Sequence, residues 1–277
     1  MYREEIFLAP GYREVKKYHT CRLGGKGKRA PNWNPTPEDV AAVNARRAEE
    51  KLRRILLTNF KRDDLYVTLT YREEPDYETA RKHIRAFLRR LRAAYKKKGL
   101  ELKYVYTTEY RGKRIHHHLI INDGITRSEC ETIWGLGMIN RYAFQRYDGR
   151  PDDARDLAKY LIKEASRNVR EGKQKLRWVA SKNLTPPKII YRTLHAKTWR
   201  ENPAPPKGME TVSVENYWTA DGYPVQLACY MGGGESRWNY PEQKKPYSGP
   251  RERRKKHRKC ASAKKRSPAS SDGQTMI

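Results

Sequence analysis

The chain has 277 residues, 37% of them hydrophobic and 33% charged, which is enough apolar side chain for one principal core with a smaller module and a polar tail. Sixty Lys and Arg against 32 Asp and Glu give a formal charge of +28, a self-repulsion best relieved by a polyanion, so nucleic acid is the expected partner. No apolar run approaches the roughly 18 residues that span a bilayer, MYREEIFLAP lacks a secretory signal pattern, and Cys21, Cys130, Cys229 and Cys260 form no CxxC pair, so a membrane protein, a zinc ribbon and a disulfide framework are all disfavoured.

Residues 1–34 carry a Gly and Lys cluster at Gly24 to Lys28 followed by Pro31, and read as an irregular basic N-terminal arm. Thr36 as N-cap and Pro37 at the first helical position open a helix that runs to Leu57. Leu65 to Tyr71 (LYVTLTY) alternates apolar with hydroxyl-bearing residues, the period of a half-buried strand. From Asp76 to Lys98, Ile84, Phe87, Leu88 and Leu91 recur at helical spacing while Arg and Lys fill the other face, and Gly99 supplies a stop.

Leu102 to Tyr110 and Ile115 to Asn122 follow as a hairpin joined by the short polar link Arg111-Gly112-Lys113-Arg114. Thr126 to Glu129 is a capping box before a short helix ending at Trp134, Met138 to Gln145 reads as a strand, and Asp152 to Val169 as a further helix. This order predicts an α+β fold, an antiparallel sheet of ferredoxin-like topology with helices covering one face. The last helix is then free to lie near the open face.

Domain boundaries follow at 35–195 for the main domain with its N-terminal helix, 196–240 for an accessory β-rich extension and 241–277 for a disordered basic tail. Strand-like runs at Lys188 to Leu194, Thr211 to Tyr217 and Tyr223 to Tyr230 either extend the sheet or form a small separate unit.

Three consecutive histidines lie inside the second strand of the hairpin. The two-residue period puts His116 and His118 on one face and His117 on the other. Glu109, near the end of the paired strand, is carried back across the hairpin toward that pair. Two imidazoles and a carboxylate can hold a metal and leave coordination sites open to a phosphate oxygen; three histidines satisfied by ordinary hydrogen bonds is the plainer alternative. In the last helix, Tyr160 and Lys163 are three residues apart and share a face. A phenol ionises near pH 10, so it becomes a nucleophile only where cations favour the phenolate.

Taken together and in order, the strand LYVTLTY, the hairpin EYRGKRIHHHLII and the helix segment KYLIK resemble the HUH superfamily of single-strand DNA nickases, most closely the rolling-circle replication initiators of bacterial plasmids and phages. The resemblance spans roughly Leu65 to Arg167. It implies that His116, His118 and Glu109 hold a divalent metal, Mg²⁺ or Mn²⁺, and that Tyr160, aided by Lys163, attacks the scissile phosphate to leave a 5′-phosphotyrosine and a free 3′-hydroxyl primer. It also implies an HUH nuclease domain at 35–195, single-stranded origin DNA as substrate and the cytoplasm of a bacterial cell as location. Two departures from the family pattern stand out. The residue between the paired histidines is usually bulky and apolar but here is His117, and a second active tyrosine one turn from the first is replaced by Asp156 on one side and Glu164 on the other.

That last departure describes a single-tyrosine enzyme in which Asp156 or Glu164 activates a terminating water; pairing with nearby cations is their alternative role. DNA contacts are expected from Arg81, Arg85, Arg89 and Arg92 on the basic helix and from Arg111 and Arg114 in the hairpin, with Tyr66, Tyr104 and Tyr106 as base-stacking candidates. Arg251 to Lys259 in the tail reads as nonspecific phosphate contact. No GxxxxGK[ST] pattern occurs, so unwinding falls to a host helicase. A transposase or relaxase of the same chemistry, or a nonenzymatic nucleic-acid-binding module, fits the same residues.

Overall fold

The computed structural model describes residues 1–20, 36–61, 63–111, 114–143, 151–170, 176–196, 198–219 and 222–232. The Gly24 to Lys28 cluster, Gly112 and Lys113 of the hairpin link, the basic tail with Arg251 to Lys259, Cys21 and Cys260 lie outside them. Cys130 and Cys229 are buried free thiols. No helix among the described residues is long and apolar enough to cross a membrane.

The described chain folds into two antiparallel five-stranded sheets and four helices. The elements of the functional sheet are β3 (Leu65–Leu69), β4 (Tyr104–Arg111), β5 (Arg114–Ile121), β6 (Ile139–Ala143) and β7 (Val179–Ala180), in the spatial order β6-β3-β5-β4-β7. The expected α+β class and antiparallel ferredoxin-like sheet are therefore present.

Helices cover both faces of this sheet rather than one. α2 (Tyr77–Lys97) begins at Asp76, whose carboxylate accepts from the Thr79 amide at 2.7 Å. Its buried Ala80, Ile84, Phe87, Leu88, Leu91 and Tyr95 recur at three- and four-residue spacing. They pack on Leu65, Val67, Leu69, Leu119 and Ile121, together with Trp134 of α3 (Arg127–Trp134). Each such side chain contributes roughly 1.5–3 kcal/mol by burial. The capping box at Thr126 and Glu129 starts α3, and Gly135, at φ 66°, ends it. Gly137 is needed for a different reason: a Cβ there would lie 2.2 Å from the Thr70 carbonyl oxygen.

The opposite face carries α1 (Pro37–Asn59) and α4 (Pro151–Arg170). Leu52, Ile55 and Leu56 of α1 and Ala158, Leu161 and Ile162 of α4 bury Val105 and Ile120. The final helix thus occupies the face left open by α2 and α3, and α1 supports it from outside.

The first sheet corrects the reading of the N-terminus as an irregular arm. β1 (Tyr2–Ala9) and β2 (Tyr12–His19) form a hairpin and join β8 (Lys188–Leu194), β9 (Met209–Trp218) and β10 (Pro224–Gly232) in the order β8-β1-β2-β10-β9. The three late strands are thus a separate sheet completed by the N-terminal hairpin, and β8, placed by sequence in the main domain, pairs with β1. The strands escaped notice because their inward positions are not all apolar. Glu5 and Glu14 point to the same side as Phe7 and Tyr12, and α1 meets them with two arginines.

Arg54 pairs with Glu5, with Glu14 at 2.6 Å and with Glu50 at 2.5 Å, while Arg53 pairs with Glu14 and donates to the Tyr12 hydroxyl at 2.8 Å. Glu14 is fully buried. Burial alone would raise its pKa, but the Arg53 and Arg54 guanidiniums outweigh that and hold it below the ordinary 4.5. Glu14→Gln leaves two buried guanidinium groups short of a counter-charge and is expected to lower the unfolding free energy by about 3–5 kcal/mol, measured by urea denaturation at neutral pH. Because the folded-state value is depressed, this contribution is present above pH 4.5 and fades as the pH falls below it, so the gap between parent and variant should narrow in acid.

Candidate active site

The β4–β5 register sets Glu109 opposite His116 and Thr107 opposite His118, and the β3–β5 register sets Thr68 opposite His118. Strand alternation therefore gathers Tyr66, Thr68, Glu109, His116 and His118 on the face covered by α1 and α4. His118 is held at both ring nitrogens. Its Nε2 lies 2.9 Å from Glu109 Oε2, and its Nδ1 lies 2.8 Å from the Tyr66 hydroxyl and 3.3 Å from the Thr68 hydroxyl.

The hydrogen bond from His118 is the main influence holding the Glu109 carboxyl below its usual range; burial opposes it, and a second hydrogen bond, from Tyr160, adds to it. An ionised carboxylate only accepts, so the hydrogen shared with His118 belongs to Nε2 and Nδ1 is left to accept from Tyr66. His116 is half-buried with its ring 6.5 Å from that of His118, and burial lowers its proton affinity.

The helix supplies the remaining group. Ala154, Ala158, Leu161, Ile162 and Ala165 form the buried stripe of α4, and Tyr160 stands at the stripe's margin, 44% exposed. Its hydroxyl donates to Glu109 Oε2 at 2.9 Å, and its ring meets His118 edge-on at 5.5 Å. One carboxylate oxygen thus joins the phenol and the imidazole. Lys163 and Asp156 are exposed on the same helix. The side chains of Glu164 and Arg111 lie outside the described residues.

Glu109, His116 and His118 have the chemistry of a divalent-metal site, two imidazoles and one carboxylate on one face. No group of three or more His, Cys, Asp or Glu among the described residues is gathered to hold a metal as it stands. Glu109 Oε2 is engaged by His118 and Tyr160 instead, so a metal would have to take over those hydrogen bonds. The donors fit in kind and in face.

His117 points the other way, into the α2 and α3 side. It is fully buried, with Nε2 2.9 Å from the Tyr71 hydroxyl, Nδ1 2.9 Å from the Thr108 hydroxyl, and Trp134 packed edge-on against its ring. Burial pushes its proton affinity down to about 3, so it sits neutral in the core. Among the arginines expected to contact DNA, Arg114 is exposed at the start of β5, and Arg81, Arg85, Arg89 and Arg92 are exposed on α2, behind the sheet from Tyr160. Sequence reasoning assigned Tyr66 to base stacking; its hydroxyl instead steadies His118. Thr68 was missed, although the hydroxyl alternation of LYVTLTY carried the signal.

Residues 64–180 match the family model for replication-associated protein ORF2/gene II protein. Over this segment the chain is similar to replication-associated proteins. The matched residues run from just before β3 to the last residue of β7, the whole of the sheet that carries the site. The match supports a part in DNA replication and with it DNA binding. No curated protein and no solved structure matches the chain.

The two faces make separable predictions. His117→Ala removes a buried ring and strands the Tyr71 and Thr108 hydroxyls, so it should cost about 2–4 kcal/mol of folding stability in urea unfolding. Stability equal to the parent would contradict a structural role for His117.

Proposed function

We propose that the chain is a replication initiator that nicks and rejoins single-stranded origin DNA through Tyr160. The hydrogen bond from the Tyr160 phenol to Glu109, itself bonded to His118, is the observation that carries this reading. It aims a nucleophile and a proton acceptor at one half-exposed spot, within a segment similar to replication-associated proteins.

Tyr160 Oη attacks the scissile phosphorus in line. The bond from phosphorus to the 3′ oxygen breaks, a 5′-phosphotyrosine forms, the phenolic proton passes toward Glu109 Oε2, and the departing 3′ oxygen takes up a proton to become a primer hydroxyl. The new ester keeps the energy of the old one, so the reverse reaction joins ends without ATP. Glu109, His116 and His118 are the residues that would hold Mg²⁺ or Mn²⁺, which when bound would stabilise charge on the non-bridging oxygens. Tyr66 and Thr68 keep the His118 ring from turning. Lys163 adds positive charge on the nucleophile's helix, and Asp156 or Glu164 activates the water that ends the cycle. A helicase of the host opens the duplex.

With single-stranded origin DNA and Mn²⁺, the parent should give a nick and a covalent protein–DNA adduct, resolved by denaturing electrophoresis, and a chelator should abolish both. Tyr160→Phe should abolish nick and adduct while DNA binding persists. Glu109→Gln should slow nicking by about 10²–10⁴-fold, and His116→Ala and His118→Ala should each remove metal-dependent cleavage, with His117→Ala milder. Undiminished cleavage by Tyr160→Phe would eliminate the nucleophile assignment, and binding without cleavage by the parent would favour a nonenzymatic module.

A further inference from the structure

We infer that a groove on the opposite side of the sheet from Tyr160, between α2 and the β4 edge, is a second binding site that holds a single-stranded nucleic acid flanking the reactive phosphate. The inference rests on the nickase reading only for which strand occupies the groove and for its continuity with the reaction.

The groove encloses about 1020 Å³, at the upper end of the roughly 300–1,000 Å³ usual for a small-molecule cleft, and it suits a longer chain. Its walls combine the two features that single strands require. Arg81, Arg85 and Arg92 line it from α2, spaced four and seven residues apart and so on one helical face. Tyr106 and Tyr110 from β4 and Trp178 ahead of β7 line the other side.

These rings are not filled into the core. Tyr106, Tyr110 and Trp178 are all only partly buried, and Tyr110 meets Tyr77 edge-on at 6.2 Å, leaving ring surface toward the groove. Among the lining residues the only carboxylate is Glu78, whose contact with Arg81 is an exposed one at 3.4 Å. Cations facing aromatic platforms across an open groove favour phosphate and unpaired bases together. A duplex would bury its base faces and could not use the rings.

The groove also lies where a strand leaving the active site would arrive. Glu109 sits in β4 between Thr108 and Tyr110, two groove residues on the opposite face, so site and groove are back to back across one strand. β7 pairs with β4 only at Val105 and Tyr106, so among the described residues the ladder on that edge stops before Thr107. A strand can pass around this edge from one face to the other.

The test uses the full-length protein with a chelator present, and reads fluorescence anisotropy of a labelled oligothymidylate long enough to reach both faces. Arg81→Ala/Arg85→Ala/Arg92→Ala should weaken binding at least about tenfold and flatten the salt dependence by about two in log–log slope. The charge-matched set Arg89→Ala/Arg90→Ala/Lys97→Ala, exposed on the same helix but outside the groove, should have a much smaller effect. Tyr110→Leu should weaken binding by about tenfold; since that ring also packs, its melting temperature is compared with the parent's, and the exposed arginine set decides the matter if it unfolds. Equal losses from the two charge sets, no loss from the groove set, or equal affinity for a duplex of the same length would each overturn the proposal. In nicking assays the groove set should raise KM for a long substrate and leave kcat and the short substrate unchanged. If the parent nicks nothing yet the binding difference holds, the nickase reading fails and the groove stands; the converse result removes the groove alone.

Discussion

One carboxylate oxygen organises the functional face. A partly desolvated ionised group has to be satisfied by donors, and Glu109 Oε2 takes one from β5 and one from α4, elements separated by more than forty residues of chain. The seating of the helix on the sheet and the orientation of the imidazole are therefore tied to the same atom. Shifting α4 by one residue would carry Tyr160 away by about 100° around the helix axis and leave the carboxylate short of a partner. Tyr66 and Thr68 complete the arrangement by occupying the far nitrogen of His118, so that the ring cannot turn without losing bonds on both edges.

Three adjacent histidines are ambiguous as letters and unambiguous once placed on a strand. The period of two separates them, and the two environments treat the same side chain in opposite ways. His118 is kept in a polar, partly open site beside a carboxylate. His117, one residue away, is enclosed by Tyr71, Thr108 and Trp134 and stays neutral. An apolar residue is what the resemblance leads one to expect between the pair, and His117 fills that space as a fully hydrogen-bonded core group.

What could be read from sequence tracked local periodicity. The α2 stripe, the capping box at Thr126 and Glu129 and the hairpin that brings Glu109 opposite His116 all depend on neighbours in the chain, and each is where it was expected. The Tyr160–Glu109 contact was not readable, because it depends on how α4 seats on a distant strand. The first sheet was hidden for a related reason: Glu5 and Glu14 break the apolar alternation of β1 and β2, and only Arg53 and Arg54, some forty residues away, make them inward-facing positions. Composition assigned the groove arginines to DNA but could not show which of them face tyrosines across a cleft. Arg89, equally basic and equally exposed, does not line it.

The first sheet is more than an appendage to the reactive one, because α1 lies between the first sheet and α4. On one side its Arg53 and Arg54 are locked to Glu5 and Glu14 of the first sheet, and on the other its Leu52 and Leu56 pack with Ala158, Leu161 and Ile162, the residues that seat the Tyr160 helix. A second tie reaches the same helix directly, since Arg155 of α4 pairs with Glu215 of β9. Buried ion pairs of this kind add little net stability over apolar packing, yet they tolerate few alternative alignments, because every misalignment leaves a desolvated charge alone. The arrangement therefore fixes α1 against the first sheet, α1 fixes α4, and α4 delivers the phenol to Glu109. The N-terminal hairpin thus positions the nucleophile from more than a hundred residues away in sequence, although none of its own side chains belongs to the site.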